Sequence, residues 1–194
     1  MTHILGILGS PRRNGNSDLL LDQALKGAAE VGAEVKKVIL NDLLIKPCQG
    51  CNDCHEDGQC VQRDDLTSIY QLLEEADGVI IASPIYFSGL SSQTKLLIDR
   101  CQCLWVRNDL LGRYSSAARK RKGSFIAVGG DSKAVFKHAV GEIRAFYSAI
   151  GLVYDGEILL PGVEGKGEVI SHPAAMEEAE RLGRRLVKSD QGLA

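Results

Sequence analysis

The chain has 194 residues, 25% of them charged and 44% hydrophobic, with a formal net charge of −2. That balance is that of a water-soluble globular domain and excludes disorder; a chain of this size buries about 70% of its unfolded surface, enough for one core without disulfide staples. The near-neutral charge gives no case for nucleic acid, and no apolar run approaches the roughly 20 residues of a membrane span.

Residues 3–9 form the first apolar run and read as a strand. They lead into a helix that opens near Asn16, Ser17 and Asp18, carries Leu20, Leu21, Ala24, Leu25, Ala28 and Val31 on one face, and stops at Gly32. Residues 34–40 are the second strand. A helix over about 66–75 follows behind the capping candidates Asp64 and Asp65. The apolar run at 78–83 fits a central strand, and a helix over about 92–104 buries Leu97, Cys101 and Leu104. A fourth strand is expected at 124–129, then a helix with Val135, Ala139, Ile143, Phe146 and Ile150 on one stripe, ending at Gly151. The last strand is 152–160, and Pro173 suits the first turn of a helix that turns Met176, Ala179, Leu182 and Leu186 inward.

Strands alternating with helices imply a parallel sheet covered on both faces, and five strands make the flavodoxin-like order 2-1-3-4-5 the expected topology. Residues 1–194 read as one such domain, with a cysteine-rich insertion at about 46–62 after strand 2. Ligands in this architecture sit at the carboxyl ends of strands 1 and 3, where the strand order reverses. The N-terminus has neither a charged leader nor a small-residue cleavage site, so a cytoplasmic location is expected, where six cysteines point to metal or redox chemistry.

The first strand runs into Gly-Ser-Pro-Arg-Arg-Asn-Gly-Asn-Ser at 9–17, which has the composition of an anion cradle. Ser10, Asn16 and Ser17 offer donors, Arg12 a positive charge, and the helix start its free amides. No Walker A lysine follows and the glycine spacing is not that of a dinucleotide fingerprint, so a monoester phosphate fits better. Strand 3 ends in Pro84, Ile85, Tyr86, Phe87 and Ser88, which could lie against a flat heterocycle; Gly129, Gly130 and Asp131 at the end of strand 4 could approach the same ring. Either of these last two loops alone is at least as well read as an ordinary turn. Three on one sheet edge favour a shared ligand.

Cys48, Cys51, Cys54 and Cys60 have the spacing C-x2-C-x2-C-x5-C. Steps this short suit one compact cubane, whereas structural zinc usually takes two Cys pairs split by a longer spacer. Zinc, a site completed by His55, and free redox-active thiols remain alternatives. Cys101 and Cys103 read as small apolar fillers. The basic run Arg119, Lys120, Arg121, Lys122 reads as a solvated surface or as a receptor for an NADPH phosphate or an acidic redox partner, and Trp105 and Tyr114 as a lid or an oligomer contact.

The segments 9–17 and 83–87, with Gln93, Thr94, Lys95, Asp99 and Arg100, resemble the NADPH-dependent FMN reductase family, and the cysteine segment resembles its iron-sulfur flavoprotein branch. The resemblance implies FMN with its phosphate on Ser10, Arg12, Asn16 and Ser17 and its ring against 84–88 and 129–131. It implies a [4Fe-4S] cluster on the four cysteines, NAD(P)H or a ferredoxin-like protein as electron donor, and a homodimer or homotetramer. Lys95, Asp99 and Arg100 are expected to be structural. The rival readings are a cluster-free NAD(P)H-dependent FMN or quinone reductase and a non-enzymatic flavin- or metal-binding sensor.

Overall fold

A computed structural model describes residues 1–112 and 121–187. Five parallel strands, β1 (His3–Leu8), β2 (Glu34–Ile39), β3 (Gly78–Tyr86), β5 (Lys122–Val128) and β6 (Val153–Leu160), lie in the order β2-β1-β3-β5-β6, with the short β4 (Gly89–Leu90) antiparallel on the end of β3. With β4 set aside this is the expected 2-1-3-4-5 order.

Period-two alternation divides the core between the two faces of the sheet. Leu5, Ile7, Val79, Ile81 and Phe125 face α3 (Thr67–Glu75), α4 (Ser92–Arg100) and α6 (Lys137–Ala149). Ile4, Leu8, Ile80 and Ile126 face α1 (Asn16–Glu30) and α7 (Pro173–Val187). The last two helices touch through glycine. A Cβ on Gly183 would fall 1.8 Å from the Ala24 carbonyl oxygen, and one on Gly27 2.2 Å from that of Glu180.

Three elements differ from expectation. The helix expected over 92–104 breaks at Cys101, giving α4, α5 (Gln102–Trp105) and a π turn, Val106–Leu110. The Arg100 carbonyl there takes the Tyr70 hydroxyl at 3.1 Å, and the Cys101 amide reaches Leu97 and Ile98 carbonyls together, which tightens the last turn. The α6 helix begins at Lys137, leaving Val135 exposed. One member of the basic run is internal: Arg121 is buried and donates to the carbonyls of Ala76 (2.9 Å), Ile150 (3.2 Å) and Leu73 at the ends of α3 and α6, while the half-buried Lys122 pairs with Asp155 at 3.2 Å. A cation satisfying orphan helix carbonyls explains why it is inside. Arg119, Lys120 and Tyr114 lie outside the described residues. Among the described residues no helix is long and apolar enough to cross a membrane.

Candidate functional site

The carboxyl ends of β1, β3 and β5 open onto a cavity of about 260 Å³. The turn after β1 is locked from within. Ser10 Oγ accepts the Arg12 amide (3.1 Å), the Arg12 carbonyl accepts the Gly15 amide (3.1 Å), and the buried Asp18 carboxylate accepts the amide of Asn14 (2.6 Å), which sits at φ 55°. Asp18 is itself paired with Lys37 from β2. The first-turn amides of α1 have no intrahelical acceptor and open beside Ser10, Arg12, Asn16 and Ser17, all on the cavity wall.

A buried chain of hydroxyls fastens this turn to β3. Ser91 Oγ, which caps α4 by accepting the Thr94 amide, donates to the Gly9 carbonyl at 2.6 Å, and the Ser91 amide donates to Ser83 Oγ at 3.2 Å. Sequence reasoning missed Ser91 and Ser83, although a Ser three residues before a helical Thr is a capping signal.

Beyond Ser83 the strand continues instead of ending. Ile85 and Tyr86 pair with Leu90 and Gly89, so the chain turns through Phe87 (φ 50°) and Ser88 (φ 64°), a two-residue hairpin turn with left-handed residues that normally calls for Asn-Gly. Pro84, Ile85 and Tyr86 line the cavity. Phe87, fully exposed at 108%, and Ser88 do not, because the hairpin carries them past its mouth.

Three further expected site residues have their polar groups engaged elsewhere in the fold. The Asn16 carboxamide is spent inside the fold, donating to the Val163 (3.2 Å) and Gly165 (2.9 Å) carbonyls and accepting the Val169 amide (3.1 Å), so Asn16 offers the cavity its backbone only. The Gly129 amide is held by the Leu160 carbonyl at 2.9 Å, whereas Gly130 lines the cavity. Asp131 turns its carboxylate onto the Lys133 amide (2.8 Å), away from the wall. Of the lining residues missed, Val128 ends β5, and Val163, Glu164 and Lys166 come from the segment after β6, which carries no strand-end motif.

The cysteine loop is gripped at its ends and open between them. At the neck, the fully buried Arg100 guanidinium donates to Asp64 Oδ2 and the Lys46 carbonyl, both at 2.7 Å, and the Lys46 amide donates to Asp64 at 3.0 Å. Burial alone would raise the Asp64 carboxyl, but these bonds outweigh it and hold it below the usual carboxylate range. Farther along, Arg107 bonds the Gly58 carbonyl (2.9 Å) and pairs with Glu74. Cys48 and Cys51 are exposed, while Cys54, at the start of α2 (Cys54–Asp57), and Cys60 are half-buried. Burial first, then the neighbouring Cys60, Cys51 and Cys48, push the Cys54 thiol up. Among the described residues no three Cys, His, Asp or Glu side chains converge on one metal position. Lys95 pairs with Asp99, and Cys101 and Cys103 are buried, the latter pushed up to about 11 by burial. Cys48 and Trp105 line a separate open groove of about 750 Å³ against α4 and α6.

The model of one protein family, described as NADPH-dependent FMN reductase, matches residues 2–157. The chain belongs to the NADPH-dependent FMN reductase family. This FMN reductase family member is 36% identical over 154 residues to an iron-sulfur flavoprotein of Methanocaldococcus jannaschii, covering 79% of this chain and 76% of that one. An iron-sulfur flavoprotein of Archaeoglobus fulgidus is 36% identical over 185 residues, covering 95% and 79%. In fold it is similar to a solved flavone reductase, with a TM-score of 0.74 and 21% identity; 96% of this chain spans 62% of that longer one. The FMN reductase family member is thus a flavin-dependent oxidoreductase homologous to iron-sulfur flavoproteins.

Proposed function

We propose that this protein binds FMN in the strand-end cavity and is an iron-sulfur flavoprotein, taking electrons from NAD(P)H or a ferredoxin-like donor. The observation that carries the FMN placement is a cavity with uncommitted first-turn amides, a cation and a hydroxyl at one end and an apolar strand end at the other. Ser10, Arg12, Ser17 and the α1 amides would hold the phosphate; Pro84, Ile85, Tyr86 and Gly130 would border the ring. Bound, the flavin supplies hydride and single-electron chemistry, and a [4Fe-4S] cluster supplies single-electron chemistry. Backbone groups at 84–86 and 130 would orient the ring, and the hydroxyl chain through Ser91 keeps the two walls in register.

Four thiols on one short loop are a suitable donor set for the cluster, which supports Cys48, Cys51, Cys54 and Cys60 as its ligands. The cavity and the groove beside Cys48 share no lining residue. That supports a homodimer or homotetramer in which the cysteine loop of one subunit faces the flavin of another. The spread of the thiols favours a second reading, a cluster-free NAD(P)H-dependent FMN or quinone reductase. Iron, acid-labile sulfide and FMN counted on one anaerobically purified sample decide between them. About four iron and four sulfide per FMN are expected for the cluster; FMN without iron after attempted reconstitution leaves the second reading, and absence of both overturns the site.

A further inference from the structure

We infer that Lys166, on the strap of residues 161–168 that follows β6, is the second phosphate-binding cation of the mononucleotide cavity and gives it preference for a phosphorylated flavin; this rests on the FMN placement proposed above. The family match ends at residue 157, so the strap lies beyond it. It nevertheless forms one wall of the cavity.

The strap is built in place. Asn16 holds it by the three carboxamide bonds already described, the Val163 amide donates to the Gly129 carbonyl at 3.1 Å, and the Gly162 amide to that of Asp131 at 3.1 Å. Its own turn is closed by Glu168, whose carboxylate accepts the Gly165 amide at 2.7 Å. The strap also has a direction. A Cβ on Gly130 would lie 3.2 Å from Glu164 Cβ, whereas a Cβ on Gly167 would lie 3.7 Å from the Asn14 carbonyl oxygen. Glu164 therefore stands at the β5 end of the cavity and Lys166 beside the turn that cradles the phosphate.

Charge gives the reason for a second cation. A phosphate monoester carries about 1.5 to 2 negative charges at pH 7. Of the arginines in the β1 turn, Arg13 is already paired with Asp42, and nearby Lys37 with Asp18 and Asp22. Among the described residues the Arg12 guanidinium bonds a carbonyl, that of Glu164 at 3.4 Å, and no carboxylate. Lys166 lines the cavity and makes no ion pair among the described residues. Arg12 and Lys166 thus each bring an uncommitted charge to the wall of the cavity.

The test is titration of flavin-free protein with FMN and with riboflavin, read by flavin fluorescence, for wild type, Lys166→Met and Lys166→Arg. Wild type is expected to prefer FMN. Lys166→Met should raise the FMN Kd roughly tenfold, the scale of one charge-assisted contact, and flatten its salt dependence, with the riboflavin Kd unchanged. Lys166→Arg should restore most of the preference. A wild-type ratio of FMN to riboflavin affinity in Lys166→Met overturns the role of Lys166 alone, as does equal weakening of both flavins, which marks a packing role. Wild type binding both flavins equally overturns the phosphate placement and Lys166 with it.

Discussion

The turn after β1 and the cysteine loop hold comparable numbers of candidate ligand groups but are organised oppositely. In the cradle, hydrogen bonds from Ser10, Asp18, Asn16 and Ser91 fix the backbone, and the groups left over face the cavity. In the cysteine loop, Arg100 and Arg107 fix the neck and one turn, while two of the four thiols are exposed and, among the described residues, no three metal-ligating side chains share one position. A phosphate can be met by dipoles already in place, because backbone amides have no other acceptor there. Thiolates packed together without a metal would repel, so such a loop gains by ordering only when the metal arrives.

The largest expected effect breaks the anchored neck. Arg100→Met leaves Asp64 buried without its partner and should lower unfolding stability by about 3 to 5 kcal/mol, read by urea denaturation. Because the Asp64 carboxyl is held below its unfolded value, the pair's contribution is complete above about pH 4 and is lost as pH falls through the lowered folded value. Asp64→Asn should therefore flatten the acid limb of stability against pH.

Away from both regions, Gly183→Ala forces a methyl onto the Ala24 carbonyl and should cost about 1 to 3 kcal/mol in the same assay, showing what a close-packed interface loses. Within the cradle, Ser91→Ala removes a cap and the tie to Gly9, and about 1 to 2 kcal/mol of stability should go, together with FMN affinity measured by fluorescence. Ser88→Gly relieves a left-handed residue at the hairpin and should raise stability by about 1 kcal/mol. The smallest effect sharpens the contrast: Cys48→Ser with Cys51→Ser should change metal-free stability by less than about 0.5 kcal/mol, since both thiols are exposed. The same double substitution should abolish iron retention after reconstitution.

Much of this was legible in order along the chain. The buried run Val79, Ile80, Ile81, Ala82 announced a central parallel strand, and Asn16 and Gly32 bracketed α1 as local chemistry requires. Ser10, Arg12 and Ser17 were legible because a strand-to-helix turn concentrates its donors within a few residues. Asn16 was placed at the right wall, but the partners of its side chain, Val163, Gly165 and Val169, are about 150 positions away and were not legible. The same distance hid Lys166. Arg121 read as surface because a charged residue in a basic run gives no local sign that three carbonyls from two helix ends will surround it.

The sequence by itself determined the strand and helix periods, the parallel order they imply, the anion-cradle chemistry of residues 9–17 and the four-thiol spacing, because each is set by neighbours in the chain. Only the tertiary structure decided which polar groups stay free for a ligand, because every donor has a choice of partners. That choice is made by what the fold brings within about 3 Å.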